Sequence, residues 1–548
     1  MGAFRIVIFT GLPPAKVRHF LWRISTDLPE VEVAGVLYEQ ERSPLPFKRR
    51  LKRVGKYIGD PDFIRFTLHK LGKPVRRISH KTITRLLHIA HATHKGLNPA
   101  LSLEELAKER EESGVAFRVT NDINGEESLK FVENLKPDLG IVYGTRILKP
   151  QLFTIPRLGS INIHKHKVPD YRGSGAPGLW ELRDERTEQV VTIHRVTSQV
   201  DEGAVLAERS FPIEPLDTLT SIGLKADLVG IDCLIEVIRA ESLGETIESQ
   251  QPQAGTTYKG FQPHQIWAIE ERIRKKRPSF RPQRGRPFVK LLARTAVYPA
   301  LYFKNRRRAR AKSYPVVVLF HHVITDRESF LGMPTDNFLR LVRFLKEHYR
   351  IASLPEAIAM LSEGEVDAPT VVLTFDDGYA DNFLGLRAVA EAENIPVTLF
   401  VCTQHVTDRS EFQHDVDRKE RGFHALSWDE VRYLSRHNVS IGSHTRTHFD
   451  CGDVDEKKLS EEIVGSLEDL QRELGHDALF FAFPKGYPQN MSERARELAL
   501  ESYPYVLSAF GGANYAPLSL DAILKRSGLP QSLLELELAL QSVLDFGS

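Results

Sequence analysis

Residues 371–378 read VVLTFDDG, an apolar run that stops abruptly on two acids and a glycine. A short continuous run of Val, Leu and Phe is the pattern of a strand buried on both faces, as in parallel α/β sheets. In (β/α) barrels the C-terminal ends of such strands carry the reactive groups. Two carboxylates placed there can divide labour, one binding a cation while its neighbour stays free to take a proton from water. Farther along, Ile441–His448 reads IGSHTRTH, with His444 and His448 four residues apart. That spacing predicts a helical turn with both imidazoles on one side, as a divalent metal requires. Two histidines and one carboxylate leave coordination positions open for water and substrate. An isolated DD or HxxxH more often closes a turn or caps a helix; the ordered combination points to chemistry.

Working outward, a strand is expected at Val316–Phe320, and strands alternate with helices from there on, a second α/β unit of about 235 residues. The first half has the same grammar. Phe4–Thr10 is an apolar, β-rich run ending at Gly11, followed by a helix-like stretch from Ala15 and a second strand at Val31–Leu37. The alternation resumes with a strand at Val115–Val119, a polar helix at Gly125–Asn134, and strands at Leu139–Tyr143 and Ser160–Ile163. This is an open, Rossmann-like α/β sheet, interrupted by a basic block, 41–110, that reads as an insertion. An Arg- and Pro-rich stretch, 256–312, reads as a linker. The expected division is therefore 1–255, the basic linker 256–312, and 313–548.

The bulk numbers agree with two folded units: 41% apolar and 27% charged residues among 548 suit buried cores and exclude global disorder. The net charge of +2 hides a strong asymmetry, since 41–100 carries +12, 271–312 carries +15, and the remainder carries −25. Such basic stretches attract phosphates or anionic lipid. Cys233, Cys402 and Cys451 are far apart, with neither a disulfide framework nor a CxxC knuckle, which fits small core residues in a reducing compartment. The apolar run within Met1–Gly11 is too short for a signal peptide, and no stretch approaches the roughly 20 apolar residues of a spanning helix. A cytoplasmic location is expected. Phe288–Phe303 (FVKLLARTAVYPALYF) lies between Arg-rich flanks and has the composition of a segment resting on an anionic membrane, although Pro299 interrupts it as a regular helix; a packed linker helix is the bland alternative. No recognised nucleic-acid-binding fold accompanies the charge, so no nucleic-acid partner is expected.

In the first half, Ser160–His164 reads SINIH, 168–177 reads VPDYRGSGAP, and 191–206 reads VTIHRVTSQVDEGAVL. An amide donor, an imidazole and a carboxylate supply what acyl transfer between nitrogens needs, an oxyanion stabiliser and a proton shuttle. Asn162 and His164, two apart on a strand, project to one face and can address one carbonyl. The plain alternative is a nucleotide-binding sheet whose Asn, His and Asp are hydrogen-bonded core residues.

Both halves resemble known families. TFDD at 374–377 and HTRTH at 444–448, with LFHHV at 319–323, LSWDEV at 426–431 and FAFPKG at 481–486, closely resemble the polysaccharide deacetylase (NodB-type) family over about 315–530. The resemblance implies a distorted (β/α) barrel, Asp376 as general base, and Asp377, His444 and His448 as ligands of a divalent metal, commonly zinc. Many members have a late histidine as general acid; here Ile523–Pro530 reads ILKRSGLP. His322 is then a candidate acid, and Arg526 a candidate for orienting the base or the substrate. In the first half the pattern N-x-H, P-x-Y-R-G and D-x-G, met by Asn162, His164, Pro169–Gly173 and Asp201–Gly203, resembles the formyltransferase family of methionyl-tRNA, glycinamide ribonucleotide and sugar N-formyltransferases over about 1–250. It implies 10-formyltetrahydrofolate as formyl donor, Asn162 and His164 at the oxyanion, and Asp201 tuning His164. KPDLGIVYGTRILKP at 136–150 resembles the strand and loop that receive the pteridine, which makes Tyr143 and Gly144 cofactor-binding candidates. The loop KHKVPDYRG differs from the family's usual proline, serine and leucines, and no tRNA-binding barrel is evident, so a sugar-like amine is favoured over charged tRNA.

A deacetylase releases an amine and an N-formyltransferase consumes one. The two resemblances together imply acetyl-to-formyl exchange on a nucleotide-linked or lipid-linked amino sugar of a surface polysaccharide. The alternatives are a single-activity deacetylase whose other domain only binds or positions the glycan, and a membrane-associated scaffold.

Overall fold

The computed structural model describes residues 3–40, 101–278, 298–519 and 523–541, with a few positions between (60–62, 64–67, 70 and 97). The chain divides into two compact units, with the break after Ser279.

The first unit is built on a seven-stranded sheet: β1 (Phe4–Thr10), β2 (Val31–Glu39), β3 (Ala116–Thr120), β4 (Leu139–Tyr143), β5 (Ser160–His164), β7 (Glu188–Arg195) and β8 (Val205–Pro212), with β6 (Arg172–Gly173) and β9 (Thr257–Tyr258) forming a separate small pair. The strand order is β3-β2-β1-β4-β5-β7-β8, parallel as far as β5, with β7 and β8 antiparallel. The order reverses between β1 and β4, the place where an open α/β sheet leaves a crevice beyond its strand ends. Two of the helices start from a local cause. Leu103–Glu112 starts in a capping box between Ser102 and Glu105, and Leu219–Leu243 in one between Thr218 and Ser221 before it stops at Gly244 in the left-handed region. The first of these is the crossover between β2 and β3, so the end of the block expected as an insertion is ordinary α/β structure; nearly all of 41–100 lies outside the described residues. Residues 257–276, placed in the linker by composition, contribute β9 and the helix Pro263–Lys276, because Tyr258 and Phe261 pack their rings on Trp180 (centroids 4.4 and 4.2 Å). A run rich in Arg and Pro hides this aromatic anchor.

The second unit is a parallel barrel: β10 (Val316–His321), β14 (Thr370–Phe375), β15 (Val397–Val401), β16 (Val439–Ser443), β17 (Phe480–Ala482), β18 (Tyr505–Leu507) and β19 (Arg526–Gly528) are ordered β18-β17-β16-β15-β14-β10-β19. The short β13 (Arg350–Ile351) adds to β14, and β11 (Val323–Ile324) pairs with β12 (Gly332–Met333). The ring closes where Leu507 bridges Leu524, two residues before β19. Near-continuous Val, Leu and Phe in β10, β14 and β15 reflect burial on both faces. One apolar cluster unites Val316, Val318, Val372, Phe400, Phe480 and Leu507 from the strands with Leu354, Ile358 and Leu361 from the helix Leu354–Glu363. With the interior filled, polar chemistry is left to the strand ends, and Asp376, Cys402, His444 and Phe483 each follow directly on a strand. Most of 288–303 lies outside the described residues; Pro299 falls inside the helix Tyr298–Ala311. No described helix is long and apolar enough to cross a membrane.

Candidate active sites

In the barrel, β14 delivers Asp376 and Asp377. The chain turns at once, with Asp377 at φ 72 and Gly378 at φ 89, so the two adjacent carboxylates diverge rather than alternate as on a strand. His444 and His448 arrive from the end of β16. The spacing suggested a helical turn, but the segment is an irregular turn with Thr445 at φ 63 and His448 at φ 58. It is held from outside. Glu462, on the helix Glu456–Leu474, accepts the backbone N–H groups of Arg446 and Thr447 (2.9 Å each) and the Thr447 hydroxyl (2.7 Å). The HxxxH spacing brings the two imidazoles together through a turn whose N–H groups are gathered by a carboxylate on the following helix.

Asp377 Oδ1 lies 3.6 Å from His444 Nε2 and 3.5 Å from His448 Nε2, and donor atoms of the three residues all fall within 4.8 Å of one another. Both Asp377 oxygens are buried and, among the described residues, have no hydrogen-bond partner. A buried, unpartnered carboxylate is costly unless a cation completes it. The imidazoles suit a cation as well. His444 Nδ1 donates to the Ala482 carbonyl (2.7 Å), which leaves Nε2 as a lone pair facing Asp377. Burial pushes the pKa of His444 down to about 3 and of His448 down to about 4, so both rings are neutral, the state in which imidazole binds metal. Burial likewise raises the Asp377 carboxyl to about 7. The donor set thus fits a divalent ion.

Asp376 is handled differently. Arg526, fully buried on β19, grips it with Nη1 on Oδ1 (2.6 Å) and Nη2 on Oδ2 (3.0 Å), while its Nε donates to the Ser508 carbonyl (2.9 Å). The guanidinium also lies 5.1 Å from each of the Phe320 and Phe400 ring centroids. Burial pushes the Asp376 carboxyl upward, but the Arg526 charge and then His444 outweigh it and hold it below the ordinary value. His322 is partly exposed just beyond β10 and lies close enough to perturb both aspartates. A further group went unforeseen: His414, Tyr379 and Asp415, with the His414 ring 5.2 Å from that of His448. Nothing in the local sequence marks it, because His414 is 35 residues from Tyr379.

In the first unit a cavity of about 1030 Å³ lies at the ends of β4, β5 and β7, and Tyr143, Gly144, Asn162, His164, His194 and Asp201 all help to line it. All of the expected residues meet here. Asp201 Oδ2 accepts from the Gly173 N–H (2.8 Å) and lies 3.6 Å from His164 Nδ1, while Oδ1 lies 3.3 Å from His194 Nε2. His164 Nε2 donates to the Tyr171 carbonyl (2.7 Å), so the lone pair of Nδ1 is the one turned toward Asp201. Burial takes His164 down to about 4 against the pull of Asp201. For Asp201 burial raises the carboxyl, but the His194 bond and the His164 charge outweigh it, and the value falls to about 2. His194, within VTIHRVT, is a member of this cluster that the sequence patterns leave without a role. It pairs with Asn162 across the β5–β7 register, its Nδ1 donates to the Arg195 carbonyl (2.8 Å), and its Nε2 lies between the Asn162 amide nitrogen (3.1 Å) and Asp201 Oδ1 (3.3 Å). The glycine of D-x-G has a steric cause: a Cβ on Gly203 would sit 1.8 Å from the Arg195 carbonyl oxygen.

Comparison with known proteins bears on both units. Residues 363–503 match the polysaccharide deacetylase family and residues 90–238 the formyl transferase family. The methionyl-tRNA formyltransferase of a Synechocystis species is 32% identical over 135 residues, 24% of this chain and 40% of that protein. The bifunctional polymyxin resistance protein ArnA of Wigglesworthia glossinidia brevipalpis is 29% identical over 163 residues, 29% of this chain and 24% of that protein. The chain thus spans less than half the length of these relatives. Among solved structures, IcaB from Ammonifex degensii aligns with 42% of this chain and 97% of its own at 19% identity and a TM-score of 0.35.

Proposed function

We propose that the chain, matched in part by a formyl transferase and in part by a polysaccharide deacetylase model, catalyses two steps on an amino sugar, metal-dependent removal of an N-acetyl group and 10-formyltetrahydrofolate-dependent N-formylation. The observation that carries this reading is the buried, unpartnered Asp377 carboxylate facing two neutral imidazoles beside an aspartate clamped by Arg526.

Asp377, His444 and His448 would hold the cation, zinc being the natural occupant of a two-imidazole, one-carboxylate set. Such an ion supplies polarisation of the acetamide carbonyl and acidification of water. Asp376, kept ionised by Arg526, takes the proton of the attacking water as oxygen adds to the carbonyl carbon. The C–N bond then breaks, acetate departs, and the amine nitrogen takes a proton, for which His322 is the donor. In the other unit the sugar amine attacks the formyl carbon. Asn162 donates to the developing oxyanion, and His164 Nδ1 receives the amine proton beside Asp201 and returns it to the nitrogen that the formyl group leaves. Tyr143 and Gly144 belong to the wall that receives the pteridine.

Likeness to ArnA and the deacetylase match favour a sugar amine, and a carrier with phosphate, nucleotide or lipid, suits the basic segments. In sequence, the two reactions exchange acetyl for formyl with the net loss of one methylene. A cytoplasmic site, where the folate donor is made, fits this order. The test is incubation with zinc, 10-formyltetrahydrofolate and a panel of UDP- and dTDP-linked N-acetyl sugars, read by mass spectrometry. Loss of one methylene from any sugar supports exchange, whereas acetate release with no formylated product supports a single-activity deacetylase with a binding domain. Asp377→Ala should abolish acetate release and leave formyl transfer to a free amine; His164→Ala should do the reverse.

A further inference from the structure

Beside the metal-binding triad stands a hydrogen-bonded chain that the deacetylation scheme above does not use. Tyr379 follows the DDG turn directly, is 1% exposed, and its hydroxyl lies 2.7 Å from both His414 Nε2 and Asp415 Oδ2. Counting protons fixes the direction of these bonds. The phenol has one proton and the carboxylate has none, so the phenol donates to Asp415 and its oxygen accepts from His414 Nε2. An imidazole that spends its proton on Nε2 has a lone pair at Nδ1. Among the described residues Nδ1 has no partner, and the His414 side chain is 26% exposed. The ring is also fixed in orientation. Phe412 stacks on it at 5.6 Å and 26°, and His405 packs behind Phe412 at 4.5 Å. The other edge of the stack meets the His448 ring at 5.2 Å.

A fixed imidazole beside a candidate metal ligand, its acceptor nitrogen without a partner among the described residues, can receive a donor from a bound molecule. We propose that His414 contacts the substrate, its Nδ1 accepting the N–H of the acetamide under attack, with Tyr379 and Asp415 setting the tautomer. The amide N–H is the one donor every N-acetyl substrate brings to the reacting carbon. As the C–N bond breaks and the nitrogen gains a proton, that bond becomes charge-assisted and strengthens, so the contact favours the transition state over bound substrate. This deepens the reading of the barrel as an amide hydrolase and rests on it.

An ester discriminates, because it offers the same acetyl carbonyl without an N–H. The zinc-loaded full chain, His414→Leu, His414→Asn and Tyr379→Phe would be assayed for acetate release from UDP-N-acetylglucosamine and N-acetylchitotriose as amides and from 4-nitrophenyl acetate as the ester. For His414→Leu we expect kcat/KM on the amide to fall about 10–100-fold, mainly in kcat, with the ester rate changed less than about threefold. His414→Asn, whose amide oxygen can accept in place of Nδ1, should recover most of the loss. Tyr379→Phe, which frees the tautomer, should lie between. Equal losses on amide and ester, equal behaviour of Leu and Asn, or loss of bound zinc from His414→Leu would each overturn the assignment. If the wild type hydrolyses no ester, the Leu–Asn comparison on the amide decides. Should the loaded wild type release acetate from neither amide while the ester is cleaved, the amide-hydrolase reading itself fails, and with it this contact.

Discussion

Arg526 and Asp376 meet as two parallel forks, 2.6 and 3.0 Å apart, in the closed interior of the barrel and 150 residues apart in the chain. The pair fixes both oxygens of the aspartate, so its free lone pairs have one defined direction. Replacing Arg526 by Ala leaves a buried carboxylate without its cation, an error worth about 3–5 kcal/mol. We expect the unfolding midpoint of the barrel to fall accordingly and acetate release to be lost. Arg526→Lys keeps the charge but not the fork, and should recover more stability than activity. Denaturant unfolding and initial rates on the same preparations check both.

The unpartnered Asp377 makes a prediction that needs no substrate. Zinc should raise the unfolding temperature of the wild type, by about 2.7 kcal/mol of stabilisation when free metal is a hundredfold above its dissociation constant. Asp377→Ala removes both a ligand and a buried charge. Its midpoint with chelator should equal or exceed that of the chelated wild type, and zinc should no longer move it. A chelated variant less stable than the chelated wild type would argue that the carboxylate has a protein partner.

Glu462 is not one of the candidate metal ligands, yet it gathers three donors of the turn between His444 and His448. Glu462→Ala should therefore weaken zinc affinity about 10–100-fold. Glu462→Gln, which can still accept both N–H groups, should stay close to wild type. Competition with a chromophoric chelator measures this directly.

Asp201 gives the pH dependence of the first unit. Its folded pKa of about 2 lies below the ordinary 3.8, so its contribution is complete above about pH 4 and is lost as pH falls through 2. Asp201→Asn tolerates the left-handed backbone at φ 53 but lacks the charge. The stability difference between wild type and Asp201→Asn should be constant from pH 7 to 4 and shrink by roughly 2 kcal/mol between pH 4 and 2. A difference that instead widened in acid would reverse the assignment.

Gly203 offers a purely steric test. With a Cβ 1.8 Å from the Arg195 carbonyl, Gly203→Ala forces β7 and the Asp201 loop apart. The expected cost is about 3 kcal/mol or more, read in the unfolding of the first unit.

What could be read in advance followed what is local. Phe4–Thr10 and Leu139–Tyr143 were placed to the residue because a buried parallel strand writes an uninterrupted apolar run and its exit is punctuated by glycine or acid. The residues meeting at each centre were legible because Asn162 and His164 share a strand face and the aspartates end β14. The misreadings had equally physical causes. Four-residue spacing is common to a helical turn and to the left-handed turn found at 445–448, and contacts from elsewhere, Glu462 and the backbone of Thr403 and Gln404 among them, decide between them. The stretch 257–276 looked like a linker because arginine and proline dominate its composition, while the two rings that anchor it are sparse. His194, His414 and Glu462 act on partners 15 to 35 residues away, where sequence alone carries no pairing signal.

The barrel's closing strand has one last implication, for the order of events during synthesis. Asp376 on β14 obtains its guanidinium from β19, 150 residues later, so a nascent chain that has made every candidate metal ligand still lacks the group that lowers the affinity of this carboxylate for a proton.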